Sequence, residues 1–179
     1  MVKIFGIYFG KERQEHSLAT DLYGHAVAAA RNPILYGTKG APDTANGRFE
    51  LIILHIFLLF RRLQDQDKRI QSIKQKTFDC FLRDMDVSLC EIGVGPDGVP
   101  KRIQKMLENF YGRAAAYQTA LENQDIEILT QTISRNFYSD DKQNSTGAKM
   151  LANYVLNSAQ NLENASTEDL INSKFSFAA

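Results

Sequence analysis

Apolar residues recur along this chain at the three- and four-residue spacing of one helix face, and no convincing alternating strand pattern interrupts them. A first helix is predicted over residues 17–31, with Ser17 as its N-cap and Asn32-Pro33 as its stop. Residues 37–47, with Gly37, Pro42, Asn46 and Gly47, read as a loop. The next helix, 48–64, is apolar almost all round, so it should be buried at the centre of the fold. A third runs from near Asp67 with Ile70, Ile73, Phe78, Phe81, Leu82, Met85, Leu89 and Ile92 on one stripe, and Gly93 ends it. A fourth opens at Val99-Pro100, where proline is tolerated, and carries Ile103, Met106, Leu107, Phe110, Ala114, Tyr117 and Leu121. Asp125 is placed to cap a shorter helix, Ser145 or Thr146 opens another, and Ser166 caps a last turn. The expected fold is all-α: a single-domain bundle of six to seven helices around the 48–64 segment. Residues 1–16 are expected to be a mobile start, 17–165 the helical domain, and 166–179 a capped turn with a frayed tail.

At 179 residues the chain is long enough for one domain with a substantial core. Lys+Arg and Asp+Glu stand at 21 each, so there is no global basic field of the kind that binds DNA. The balance is uneven, with 17 basic and 13 acidic groups in residues 1–121 against 4 and 8 in residues 122–179. That is either ordinary surface variation or a mildly basic docking face. Cys80 and Cys90 fall ten residues apart on one helix, roughly 15 Å, which is too far for a disulfide and suits a reducing compartment. The longest apolar run, 51–60, contains His55 and falls short of the ~20 residues that span a bilayer. The start, MVKIFGIYFGKERQ, has neither a secretory cleavage site nor a transit-peptide pattern, so a bacterial cytoplasmic location is the simplest expectation. Its Ile4, Phe5, Ile7, Tyr8 and Phe9 beside Lys3, Lys11 and Arg13 have the composition of a weak interfacial anchor. Transient contact with the cytoplasmic face of the inner membrane is therefore also expected.

No catalytic, cofactor or metal motif stands up. Residues 93–98, GVGPDG, fit the GxGxxG string, but a helix precedes them where a dinucleotide site needs a strand. Asp84 and Asp86 sit two apart on a helix, pointing about 200° from each other, so they cannot share an ion. Arg83 is placed to pair with Asp79 and Asp86 along a stripe. His55 shares a stripe with Arg48 and Arg62. As a structural polar-core residue it needs a partner, either a carboxylate of the third helix or a backbone carbonyl. Gly112 inside a helix costs about 1 kcal/mol and implies close approach of another backbone.

Several phrases are more distinctive than any motif. They are YG…ARNPILY within residues 23–36, PDT…GRFELIILH within 42–55, FD…DMD within 78–86, GVG…VPKR within 93–102, FYGR…AY within 110–117, and Arg135-Asn136. In this order, across residues 20–137, they resemble the ubiquinol–cytochrome c chaperone family. Cys90 before Glu91, where the family commonly has Arg, and Pro96-Asp97-Gly98 in the turn are departures from that pattern. The resemblance implies a non-enzymatic assembly factor of the respiratory ubiquinol–cytochrome c reductase that engages newly made cytochrome b. It supplies no catalytic residues. A small partner protein and the ribosome are further partners known for mitochondrial relatives. Charged residues of these phrases that look too polar for a core become candidates for partner binding: Arg48, Glu50, Arg83, Asp86, Lys101, Arg102 and Arg113. A generic helical adaptor and an all-α enzyme are the alternatives from other classes.

Overall fold

The computed structural model describes residues 10–64, 67–91, 93–95, 97–138 and 145–178. Among them are seven α-helices and no strand: α1 Lys11–Ala30, α2 Ala45–Arg62, α3 Lys68–Glu91, α4 Val99–Glu122, α5 Ile126–Phe137, α6 Ser145–Asn164 and α7 Thr167–Ile171. A 3-10 turn, Pro33–Leu35, joins α1 to the loop before α2. The bundle is all-α, as the periodicity predicts.

The centre is α2. Every residue from Glu50 to Leu59 is buried, and α1, α4, α5 and α6 lie against it. Its start is fixed by the Thr44 hydroxyl, which accepts from the Gly47 amide at 3.1 Å. Gly47 is required there, because a Cβ would overlap the Pro42 carbonyl oxygen. At the other end the Lys74 ammonium donates to the Phe60 and Leu63 carbonyls, both at 3.3 Å. A cation at the carbonyl end of a helix is favourable to its dipole. Arg62 reaches across to the end of α6, donating to the carbonyls of Leu162 and Ala165 at 3.1 and 2.6 Å.

α3 packs along α1 and turns back into α4. Asp67 caps α3 by accepting from the amides of Arg69 and Ile70. Gly93, at φ 83°, ends it in the left-handed region predicted for a C′ glycine. Asp125 caps α5 and Ser166 caps α7.

Two expectations need correction. The first helix begins at Lys11 rather than at Ser17. The Glu15 carboxylate accepts from Ser72 and Lys76 of α3, at 2.6 and 2.9 Å, which holds the extra turns against the bundle. The interfacial-anchor reading of the start falls mostly on residues 1–9 and, like the place of Ile92 on its stripe, lies outside the described residues. The second correction concerns the tail, which does not fray. Phe175 packs against His25 with the rings tilted and their centroids 4.4 Å apart, and Phe177 meets His55 edge-on at 4.6 Å. The Ala178 amide donates to the Ser158 hydroxyl at 2.9 Å. No described helix is long and apolar enough to cross a membrane.

Candidate partner-binding grooves

The end of α1 and the Pro33 turn bring several of the distinctive phrases to one place. The Tyr36 hydroxyl donates to the Ala30 carbonyl at 2.7 Å, folding the turn back on the helix. This leaves a groove of about 690 Å³ between the turn, the first half of α2, the second half of α3 and Met106 of α4. Its floor is apolar, formed by Phe49, Ile52, Met85, Leu89 and Met106, and its mouth carries Arg31, Asp43, Arg48 and Asp84. The two methionines give that floor adaptable, polarizable side chains. Tyr23 donates its hydroxyl to Asp84 at 2.5 Å, and burial together with that carboxylate pushes the phenol's pKa well up.

Arg48 stands at this mouth, but not bonded to an acid of α3. Its Nε donates to Asp43 at 2.7 Å, and both side chains are largely exposed, so the pair adds little stability. The bond holds the Asp43 carboxyl below its ordinary pKa.

Glu50 is not at the surface. It has 0% exposure, because α2 has no solvent face at this position and Glu50 points about 200° away from Arg48. It forms an ion pair with Arg113 of α4, Nη2 to Oε1 at 2.5 Å. Burial raises its pKa to about 7, against the pull of the guanidinium. Nearby, the fully buried Tyr117 of α4 accepts from the Asn136 amide of α5 at 3.0 Å. Glu50, Arg113, Tyr117 and Asn136 therefore tie α2, α4 and α5 together from inside. As partner contacts Glu50 and, largely, Arg113 are withdrawn, since a partner cannot reach a carboxylate enclosed by three helices.

The remaining candidates are exposed. Arg83 donates to the Cys80 sulfur at 3.1 Å rather than pairing with Asp79 or Asp86, and Asp79 accepts from Gln75 instead. Asp86 faces solvent, as do Lys101 and Arg102 in the first turn of α4. Asp84 and Asp86 diverge as helical geometry requires. Among the described residues no group of three or more His, Cys, Asp or Glu side chains is arranged to hold a metal.

His55 lies in the core of the bundle. It is completely buried, with Nδ1 2.7 Å from the Leu51 carbonyl and Nε2 2.7 Å from the Tyr154 hydroxyl. A carbonyl only accepts, so Nδ1 carries the proton, and the neutral ring accepts from Tyr154 through Nε2. Burial lowers its pKa to about 4. The backbone partner was among the two expected. Tyr154 was not, because nothing in the sequence marks a hydroxyl 99 residues away.

A second groove, about 610 Å³, lies on the other side of the hairpin between the end of α2, the first half of α3 and the second half of α4. Phe60, Phe78, Phe110 and Tyr111 form its aromatic wall, with Phe78 to Phe110 and Phe78 to Tyr111 centroids at 5.4 and 6.5 Å. The sequence places each of these rings on a helix but cannot show that α3 and α4 leave a space between them here. Gly112 on the same helix has no neighbouring backbone: a Cβ there would meet nothing within 4 Å. The close approach inferred for it is absent within the described residues.

Comparison with known proteins adds to this geometry. A family model described as ubiquinol-cytochrome C chaperone matches residues 38–177. The mouse (Mus musculus) ubiquinol-cytochrome c reductase complex assembly factor 1 is 22% identical over 130 residues, which cover 73% of this chain and 44% of that protein. The chain thus spans less than half the length of that curated relative. The crystal structure of the Cbp3 homolog from Brucella abortus superposes with a TM-score of 0.85 at 35% identity, covering 94% of this chain and 93% of that one.

Proposed function

Because the chain belongs to the ubiquinol–cytochrome C chaperone family, we propose that it assists assembly of the respiratory ubiquinol–cytochrome c reductase by holding newly made cytochrome b. The family is one of chaperones, not of enzymes. The observation that carries this reading is the near-complete structural match to the Brucella abortus Cbp3 homolog at 35% identity. The surface is suited to the task. An assembly chaperone must hold apolar segments reversibly, and both grooves set an apolar floor within a polar rim. The exposed Arg48, Arg83, Asp86, Lys101 and Arg102 lie outside the core, where they can recruit a partner without disturbing the fold.

The test is genetic and biochemical. Cells lacking the gene should accumulate less assembled ubiquinol–cytochrome c reductase, and the tagged protein should co-purify with cytochrome b from cells in which synthesis has just been pulsed. Normal levels of the complex in the deletion strain would refute the assignment. A generic adaptor would capture other proteins and leave the complex unaffected.

A further inference from the structure

The two halves of α4 are held to the bundle in different ways. From Pro100 to Asn109 no residue is buried. Gln104 donates to Glu108 within the helix, and among the described residues no side chain of this stretch makes a hydrogen bond or ion pair to another element. Met106 is its one apolar side chain packed against the central core, and it lines the floor of the first groove with Met85 and Leu89. Val99, at the start, is buried but lies outside that core. From Phe110 onward the helix is pinned. Phe110 meets Phe78 and Phe81 at centroid distances of 5.4 and 6.2 Å, Arg113 pairs with the enclosed Glu50, and Tyr117 accepts from Asn136. Gly112 stands at the boundary, inside the helix, where a Cβ would meet nothing within 4 Å. Glycine is among the least favourable residues for a helix interior, and no steric requirement accounts for this one.

We propose that residues 99–111 form a lid that swings about Gly112 and widens the first groove. A segment with few buried contacts opens at a lower free energy than the core it leans on. Hinges are the few residues that absorb a backbone change, and glycine absorbs it at least steric cost. The pivot is placed so that little else has to give. Met106 lies six residues before Gly112, about 9 Å along the helix, so a bend of about 25° lifts it by about 4 Å. Phe110 is only two residues away, about 3 Å, and moves by about 1 Å, which keeps its ring contacts. Arg113 and Tyr117 lie beyond the pivot, so the bonds to Glu50 and Asn136 stay closed throughout. The contact surrendered is that of one methionine, a side chain that repacks easily. The swing stands on this geometry alone, and its use, to admit a client segment, rests on the chaperone reading above.

The test measures distances in the whole chain by pulsed electron spin resonance. One spin label sits on the lid at Lys105→Cys, and the other at Arg13→Cys on α1 or Lys149→Cys on α6, all exposed positions. Cys80→Ala and Cys90→Ala remove the native thiols, and circular dichroism checks that each protein folds. A control pair joins Thr119→Cys, beyond the pivot, to Lys149→Cys. The lid pairs should show two populations differing by up to about 4 Å, and the control pair one. Adding Gly112→Ala stiffens the helix and should reduce the open population about two- to fivefold, leaving the control unchanged. Lid distances as narrow as the control, or two populations that Gly112→Ala leaves in the same proportion, would overturn the hinge. In cells, Gly112→Ala should lower the amount of assembled ubiquinol–cytochrome c reductase by up to the same factor. Normal assembly with the lid held closed would overturn its use in admitting a client. Normal assembly in the strain lacking the gene would instead refute the chaperone reading, while the distances would still decide the hinge.

Discussion

The same substitution, glycine to alanine, should have opposite effects at three helical positions, and the space around each α-carbon decides the sign. At Gly112 in α4 and Gly24 in α1 a Cβ would meet nothing within 4 Å. Both lie in helix interiors, where glycine is about 0.8–1 kcal/mol less favourable than alanine because of the backbone entropy it loses. Gly112→Ala and Gly24→Ala should therefore each stabilise by roughly 0.5–1 kcal/mol. For a domain of this size that raises Tm by about 2–4 °C per kcal/mol. The two sites touch no shared neighbour, so the double variant should show the sum. Gly47→Ala should do the reverse. Its Cβ would collide with the Pro42 carbonyl, and the collision would disturb the Thr44 cap, so a loss of about 1–3 kcal/mol is expected. Urea denaturation followed by circular dichroism reads all four proteins on one scale. A destabilised Gly112→Ala would mean that some element does approach that α-carbon, and a neutral Gly47→Ala would mean that the loop before α2 is free to move aside.

His55→Leu should lower the unfolding free energy from urea denaturation by about 1–3 kcal/mol, because the buried Tyr154 hydroxyl loses its acceptor, and adding Tyr154→Phe should recover part of that loss. Metal analysis of the wild type should find nothing stoichiometric, and tight zinc or haem binding that disappears in His55→Leu would overturn the structural role. Glu50 has a folded pKa near 7 against an ordinary 4.5, so the folded state favours its proton and the contribution to stability falls as pH rises from about 4.5 through 7. His55, lowered from 6.5 to about 4, acts in the opposite sense: its contribution is lost as pH falls from about 6.5 to 4. The two slopes offset each other in wild type, so Glu50→Gln should reveal a steeper rise of stability between pH 4.5 and 6.5, and parallel profiles would contradict this. Reversing both Lys101 and Arg102 to glutamate puts acids in a first helical turn, where the dipole favours them. The variant should stay folded, by circular dichroism, while cells accumulate less assembled ubiquinol–cytochrome c reductase. Unchanged assembly would remove these two residues from any recruiting surface.

Helix periodicity made most of this fold readable. The stripe of α3, its stop at Gly93, the Val99-Pro100 opening of α4 and the Asp125 and Ser166 caps depend on local chemistry, and local chemistry is written in sequence order. Two of the failures involve partners far along the chain. Ser17 is a better N-cap by residue type than Gly10, but the turns before it are held by Ser72 and Lys76 on another helix. NSKFSFAA carries no periodic signal, yet Phe175 and Phe177 find His25 and His55. Glu50 was legible in principle. It lies in a helix read as apolar all round, and that reading already implied that its carboxylate is enclosed. Assigning it to the surface followed residue type and overlooked the neighbouring residues. For the grooves, the sequence supplied the wall residues and their helix faces. The gap between α3 and α4 depends on how two helices diverge, and no residue spacing reports that.

The enclosure of α2 sets a schedule for the protein's own synthesis. Its apolar run, Leu51 to Leu59, leaves the ribosome with α1 already made, so one flank can be covered at once. The hydroxyl that completes the His55 bonding comes 99 residues later, and the Phe177 ring later still. At about 5–20 residues per second that is a wait of roughly 5–20 s. For that interval the nascent chain exposes the same kind of sticky apolar helix that it is proposed to shelter in a client. Slowed translation between α2 and α6 should therefore lower the yield of soluble protein even though the finished sequence is unchanged.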